Sequence, residues 1–342
     1  MAIKRVLTGM RTTGELHLGH YVGALKLWLE AQSDPDQECF FLLADYQAAT
    51  THRDRPELIQ QSIRDVTLDW LSVGLDPNLP NVHFVQQSQV LARPHLTLYL
   101  ALFAKEADIK RNPTIKEEME HLENVSMAFL LYPVDQVGDI EMISPPAEKG
   151  NQILVPVGRD QVPHLEYSRK LARAFNDQYH RPVFCQCEAQ VGSISKLVGT
   201  DGSGKMSKSR GNAIYLSDSR AEVEKKVKRM YTDPKRIHAT DPGTIEGNPL
   251  FMYFDAFAKD PEEVEEYKKL YQVGQIGDVP LKKRLAEILN EMLDPIREAR
   301  FEAEEHVAVG QVIRAGTARA NELANEVLER TQEAMHLTFP NP

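Results

Sequence analysis

Only three cysteines occur in 342 residues: Cys39, Cys185 and Cys187. So few exclude a disulfide scaffold and fit a reducing compartment. Cys185 and Cys187 are too sparse for a zinc site, which takes four ligands. Their alternation with Phe184 and Gln186 reads as a strand. No run approaches about 18 uncharged apolar residues, so no membrane span is expected. The opening MAIKRVLTG lacks the apolar centre of a signal peptide, and a cytoplasmic location is expected. Positive charge is also scarce. The net charge is −10, and acidic residues outnumber basic ones on either side of residue 211. Composition therefore gives no nucleic-acid signal, and no DNA partner is expected. Basic clusters at 225–229, 235–236, 268–269 and 282–284 have two readings, solvated helix faces or a stripe for a polyanion. Internal repeats and low-complexity tracts are absent.

What the chain does have is alternation. Apolar runs at 4–8, 38–45, 82–85, 154–158 and 182–187 read as strands. Between them, 56–74, 94–107, 126–143 and 162–179 read as helices, with Pro56 and Gly74 as start and stop signals. Strands that alternate with helices predict a parallel sheet with right-handed crossovers. Beyond Asn212 the strands stop. Ser219 with Glu222 makes a capping box, and Asp260-Pro261 opens another helix. Stretches 280–305 and 317–337 are long and amphipathic. The expected architecture is α/β: a Rossmann-like parallel-sheet catalytic domain over 1–211, and an all-α domain over 212–342. The last helix is placed to pack back on the first domain.

Chemistry concentrates in four places. The first is Thr8 to Ala24, where a strand runs through Gly9, Met10, Arg11, Thr12, Thr13 and Gly14 toward His17-Leu18-Gly19-His20 and a helix. Small residues that lead a strand into a helix bring backbone N–H groups to a phosphate. His17 and His20, three apart, would aim two donors at one point; the plain alternative packs one and solvates the other. The second is a polar stripe, Tyr132, Gln136 and Asp139, spaced i, i+4, i+7 along an apolar helix. Such a stripe is costly unless it lines a pocket. The third is 154–161, whose strand ends at Gly158 with Asp160 and Gln161 behind it; Asp45 follows the second strand in the same way. The fourth is Gly199 to Asn212, a glycine-rich, non-periodic stretch with two lysines. It reads as a mobile cationic loop that follows a migrating phosphate charge, or as a basic linker. The basic segment 109–116, broken by Pro113, reads as a loop, near the nucleotide or structurally neutral.

His17-Leu18-Gly19-His20 resembles the HIGH signature of class I aminoacyl-tRNA synthetases, and Lys205-Met206-Ser207-Lys208-Ser209 matches their KMSKS signature letter for letter. Within that class, Tyr132…Gln136…Asp139 and Val155-Pro156-Val157-Gly158…Asp160-Gln161 resemble the bacterial tryptophanyl-tRNA synthetases. The tyrosyl enzymes share the first of these patterns. Their first strand usually presents a tyrosine to the substrate phenol, where this chain has Leu7. The resemblance implies activation of L-tryptophan by ATP with Mg²⁺, transfer to tRNA(Trp), and a homodimer. It assigns His17, Gly19 and His20 to the α-phosphate and Lys205 and Lys208 to the departing pyrophosphate, with Lys116 as a helper. The nucleotide would also meet Gly9, Met10, Arg11, Thr12, Gly158, Asp160, Met206, Ser207 and Ser209. Tryptophan would meet Leu7, Gln47, Tyr132, Gln136, Val155, Val157 and Gln161, with Asp139 accepting the indole N–H. No metal-binding side chains are expected, because Mg²⁺ would ride on the triphosphate. The helical domain would read the anticodon.

The chain also departs from the pattern. The bacterial tryptophan enzymes commonly carry Thr at His17, Asn at His20, Pro-Ser at Thr12-Thr13 and His at Gln47, and the loop 144–151 is slightly long. These features mark a divergent subgroup. A tyrosyl enzyme is the near rival, and a non-charging paralogue with a binding role the far one.

Overall fold

The computed structural model describes residues 2–120, 124–192, 197–204, 206, 210–234, 236, 238 and 240–339. Among the described residues five strands form one sheet: β1 (Lys4–Arg11), β2 (Gln37–Ala44), β3 (Val82–Gln86), β4 (Gln152–Val157) and β5 (Cys187–Val191). Their order is β3-β2-β1-β4-β5, and every pairing is parallel. The chain moves outward from β1 through β2 to β3, then returns to the other side of β1 for β4. That reversal opens a crevice at the carboxyl ends of β1 and β4, the place where open α/β sheets bind ligands.

The first helical passage is α1 (Leu18–His20), continued through a π-helical turn at Tyr21–Leu25 into α2 (Lys26–Gln32). Next come α3 (Asp45–His52), α4 (Pro56–Ser72), α5 (Arg93–Ala101), α6 (Glu106–Arg111), α7 (Pro113–Met119), α8 (Met127–Glu141) and α9 (Val162–Tyr179). The later part holds α10 (Arg220–Lys228), α11 (Pro249–Phe257), α12 (Pro261–Gln272), α13 (Asp278–His306) and α14 (Val309–Ala334).

Strand alternation sorts the core into two layers. Val6, Cys39, Phe41, Leu43 and Phe84 face one side, where Trp28 of α2 and Trp70 of α4 pack on them. Trp28 stacks on Phe41 with centroids 5.2 Å apart. Leu7, Phe40, Leu42, Val85 and Val155 face the other side, beneath residues of α5, α8, α9 and α14. A long C-terminal helix thus returns to the sheet. The N–H of Gln86 in the edge strand β3 donates to Thr317 Oγ1 on α14 at 3.0 Å. A Cβ on Gly316 would meet the Phe84 carbonyl oxygen at 2.3 Å, so only glycine lets α14 lie this close.

Five expectations need correction, the first being the helix expected over 94–107, which ends at Ala101 before a second begins at Glu106. β1 runs on to Arg11, so Gly9, Met10 and Arg11 are strand residues and not turn residues. The last strand is Cys187–Val191, not 182–187. Val183 and Phe184 are buried, but Asn176 Oδ1 accepts both of their N–H groups, and Ser144 Oγ accepts that of Cys185. With those donors committed to side chains, pairing begins only at Cys187, opposite Ile153. Segment 109–116 is helical on both sides of Asn112, because Pro113 opens α7 at its first position, where proline is tolerated. The last helix starts at Val309, ahead of the expected 317; Gly310 and Gly316 weakened its helical signal there.

Candidate active site

The crevice is built around the turn that leads from β1 into α1. His17 is the N-cap of α1, and its N–H donates to His20 Nδ1 at 3.1 Å. That bond leaves the His20 ring proton on Nε2, which is then a donor. The two rings stack with centroids 3.8 Å apart. They form a layered pair, one ring lying over the other. Gly19 permits this layering, since a Cβ there would lie 3.0 Å from the His17 ring. Thr12 is wholly buried, and its hydroxyl has no hydrogen-bond partner among the described residues. Met10 is buried, and Arg11 Nη2 donates to Thr51 Oγ1.

The stretch that follows the lysine loop is tied to this turn. Leu18 N–H donates to the Ile214 carbonyl at 2.9 Å, and Leu216 N–H donates to the Leu16 carbonyl at 3.0 Å. His17 and Tyr215 form an antiparallel bridge. Met206 is buried, with its Cβ close above Gly19. The two signature segments, almost 190 residues apart in sequence, therefore meet at Gly19 and His17. Lys205, Ser207, Lys208 and Ser209 lie outside the described residues, as does the side chain of Asp160. Lys116 is exposed on α7.

The second half of the site is the polar face of α8. Asp139 is buried, and Gln87 Nε2 donates to both of its carboxylate oxygens, at 3.0 and 2.8 Å. Arg93 Nη1, also buried, donates to Asp139 Oδ1 at 3.2 Å and to Asp135 Oδ1 at 2.6 Å. Burial pushes the Asp139 carboxyl above its usual range, and the neighbouring guanidinium opposes that rise. Gln87 Oε1 also accepts the Gln47 N–H at 3.2 Å, which links the start of α3 to Asp139. Leu7, Tyr132 and Val155 share one buried cluster, with Val157 packed against it. Tyr132 lies edge-on to Phe129 and tilted against His164. Gln136 is half-buried on the same helix. Gly158 and Gln161 close a 3-10 turn through a 3.0 Å bond between Gln161 N–H and the Gly158 carbonyl.

Two residues with clear work in this arrangement, Gln87 and Arg93, did not stand out in the sequence. The signal was there: Gln86-Gln87-Ser88-Gln89 is a polar run at the carboxyl end of β3, the same position that drew attention to Asp45. Asp45 itself does not face the crevice as a free carboxylate. It accepts from Gln86 Nε2, from the Ser88 N–H and from Ser88 Oγ, and so holds that run in place.

The described geometry has close counterparts. The family model of class I tRNA synthetases (W and Y) matches residues 3–294. The tryptophan–tRNA ligase of Clostridium longisporum is 41% identical over 100% of this chain and 99% of its own. That of Streptococcus pyogenes serotype M1 is 43% identical over 98% of both. Among solved structures, the tryptophanyl-tRNA synthetase of Campylobacter jejuni complexed with ADP and tryptophan superimposes with a TM-score of 0.81. It is 29% identical, and the match covers 97% of this chain and 99% of that one. With the family model spanning most of the chain and full-length relatives above 40% identity, the chain belongs to the class I tRNA synthetases of the W and Y family.

Proposed function

We infer that the protein activates L-tryptophan with ATP to tryptophanyl-adenylate and pyrophosphate, and then transfers tryptophan to the 3′ end of tRNA(Trp). The observation that carries the amino-acid assignment is Asp139: a buried acceptor on α8, held by Gln87 and Arg93. The indole N–H is a donor only, so a fixed carboxylate rewards it. A phenylalanine ring offers no donor and would forfeit that hydrogen bond, at a cost of about 1–3 kcal/mol. Leu7 is buried and carries no hydroxyl for a phenol. Tyr132, Gln136, Gln161, Gln47, Val155 and Val157 are assigned to the walls of the pocket and the α-amino group.

The substrate carboxylate is already a nucleophile, so the reaction asks the protein for positioning and for charge stabilisation on the phosphates. His20 Nε2–H, the His17 ring and the Gly19 backbone are assigned to the α-phosphate. The buried Thr12 hydroxyl supports a nucleotide at the end of β1, since it has no partner among the described residues. Lys205 and Lys208, with Lys116, are assigned to the departing pyrophosphate, and the adenine to the backbone around Met206. The other nucleotide contacts proposed are Gly9, Met10, Arg11, Gly158, Asp160, Ser207 and Ser209. Among the described residues, no group of three His, Cys, Asp or Glu side chains is gathered for a metal ion. The donors at the turn are imidazoles and backbone amides, which suit phosphate oxygens. Mg²⁺ is proposed to arrive on the triphosphate, keeping several waters and neutralising phosphate charge.

The proposed division is a catalytic domain over 1–211 and an anticodon-binding helical domain over 212–342, whose last helix rests on the sheet. Unpaired loop bases are where RNA sequence is legible, which suits recognition by stacking and base-edge bonds. The proposed assembly is a homodimer, supported by exposed Leu98 on α5, Leu102 at its C-terminal cap, and Met127 and Leu131 on α8. Among the described residues, no helix is long and apolar enough to cross a membrane, and a cytoplasmic location is proposed. The test is amino-acid-dependent ATP–pyrophosphate exchange. Stimulation by tryptophan and not by tyrosine is the expected result. Stimulation by tyrosine alone would establish the tyrosyl enzyme, and no stimulation by either would establish a non-charging paralogue.

A further inference from the structure

Two arginines on α13, three residues apart, reach the backbone on both sides of the signature turn. Arg300 Nη1 donates to Asp69 Oδ1 at 2.5 Å, and Asp69 Oδ2 accepts the Leu16 N–H at 2.7 Å. Asp69, on α4, has 0% exposure. Asp65, Glu15 and Glu304 also lie within 3.6 Å of the Arg300 guanidinium. Arg297 Nε donates to the Asp218 carbonyl at 2.7 Å, and Asp218 Oδ2 accepts the Tyr215 N–H at 2.7 Å. Lys226 Nζ holds both Asp218 oxygens.

The two relays end on facing strands of backbone. Leu16 immediately precedes His17, and Tyr215 is the residue bridged to His17. Both backbone groups of Leu16 are committed. Its N–H goes to the Asp69–Arg300 pair, and its carbonyl accepts from Leu216, just past the lysine loop. A carboxylate at zero exposure is costly, and breaking such a pair leaves an uncompensated buried charge. The pair is therefore stiff, and displacing it must move Leu16.

We propose that Asp69 and Arg300 are positioning residues for ATP: through Leu16 they hold the His17–His20 turn, together with the 214–216 segment hydrogen-bonded to it, in the position from which it grips the triphosphate. α13, in the helical part of the chain, thereby anchors both of these paired backbone segments. Arg297 and Asp218 do the same from the Tyr215 side of the pair. The proposal rests on the reading that the His17–His20 turn holds the α-phosphate.

The test uses the full chain with Asp69→Asn, Arg300→Met and Arg300→Lys. Tryptophan-dependent ATP–pyrophosphate exchange gives kcat and KM for ATP, and equilibrium dialysis without ATP gives tryptophan affinity. A small misplacement far from the chemistry can cost roughly 100-fold in rate. The expected result is a fall of roughly 10- to 100-fold in kcat/KM for ATP in Asp69→Asn and Arg300→Met, with tryptophan affinity unchanged. Arg300→Lys should recover part of this, since an ammonium can still pair with Asp69 but lacks the fork. His20→Ala checks the underlying reading separately: if it leaves exchange unchanged, the phosphate assignment falls. If His20→Ala lowers exchange while the Asp69 and Arg300 variants keep normal ATP parameters, the positioning proposal alone falls. Parallel loss of ATP and tryptophan parameters, with a lowered urea midpoint and no gain in Arg300→Lys, would mark a purely structural clamp and also overturn it.

Discussion

A carboxylate buried against one amide and one guanidinium is a fixed acceptor, and Asp139 is that case. Asp139→Asn keeps the shape but turns part of the acceptor into a donor, facing Gln87 Nε2. Its expected effect is a rise of roughly 10- to 100-fold in KM for tryptophan, the equivalent of a hydrogen bond to a charged group. KM for ATP should change little, and steady-state exchange kinetics measure both; equal loss of both would remove the role assigned to Asp139. Two positions along, Glu141 is also fully buried, and burial outweighs the hydroxyls of Ser144 and Ser168 to lift its carboxyl to about 8. An acid whose folded pKa is raised binds more protons in the native state than in the unfolded one. Its stabilising effect is thus fully present below the unfolded value near 4.5 and is lost as pH rises through about 8. Across that window Glu141 should cost stability at a slope approaching 1.4 kcal/mol per pH unit. Glu141→Gln should flatten the slope, as read by urea unfolding over a pH series; an unchanged slope would count against the assignment. At this scale Asp139 was legible, because a polar stripe on an apolar helix has to be explained. Gln87 was not, because it acts through another residue and lies in a run of similar amides.

Elements were legible where periodicity and punctuation agreed. Val162–Tyr179, the Ser219 capping box and the Asp260 cap all follow from local chemistry, and the structure keeps each of them. Legibility failed where a side chain from elsewhere took a backbone donor. Asn176 and Ser144 did this to 183–185, so a buried apolar run is not a strand. It failed again at α14, whose first turns contain two glycines. Gly316 is there for contact, since the helix lies against the backbone of Phe84 and covers the open edge of β3. Gly316→Ala should therefore destabilise the chain, although alanine favours helices. Overpacking of this kind costs about 1–3 kcal/mol, against a propensity gain of roughly 1 kcal/mol. Chemical denaturation gives the sign, and a variant as stable as the parent would mean that α14 can move off β3 without loss.

For the whole molecule, the parallel sheet followed from the alternation of strands and helices, and the crevice from the reversal of strand order at β1. The meeting of the two signatures could not be read the same way, because it depends on backbone pairing between residues 16–18 and 214–216. Assembly is a third kind of inference, drawn from what the fold leaves uncovered. Leu98 on α5 and Leu102 at its C-terminal cap are four residues apart, and Met127 and Leu131 are one turn apart on α8, the helix that packs beside it. All four are exposed, Met127 at 79%. Scattered apolar residues need no explanation, but two i, i+4 pairs on helices packed together are proposed as the two parts of one interface. α8 also carries Tyr132 and Asp139, so a partner seated on that face would brace the tryptophan pocket from outside. Leu98→Glu with Leu102→Glu places two like charges at the proposed centre. Light scattering should then report a monomer where the parent chain gives a dimer. Tryptophan affinity should fall in step with dissociation. A parent chain that is itself monomeric and fully active would remove the face from the site's support. A charged variant that stays dimeric would move the interface elsewhere.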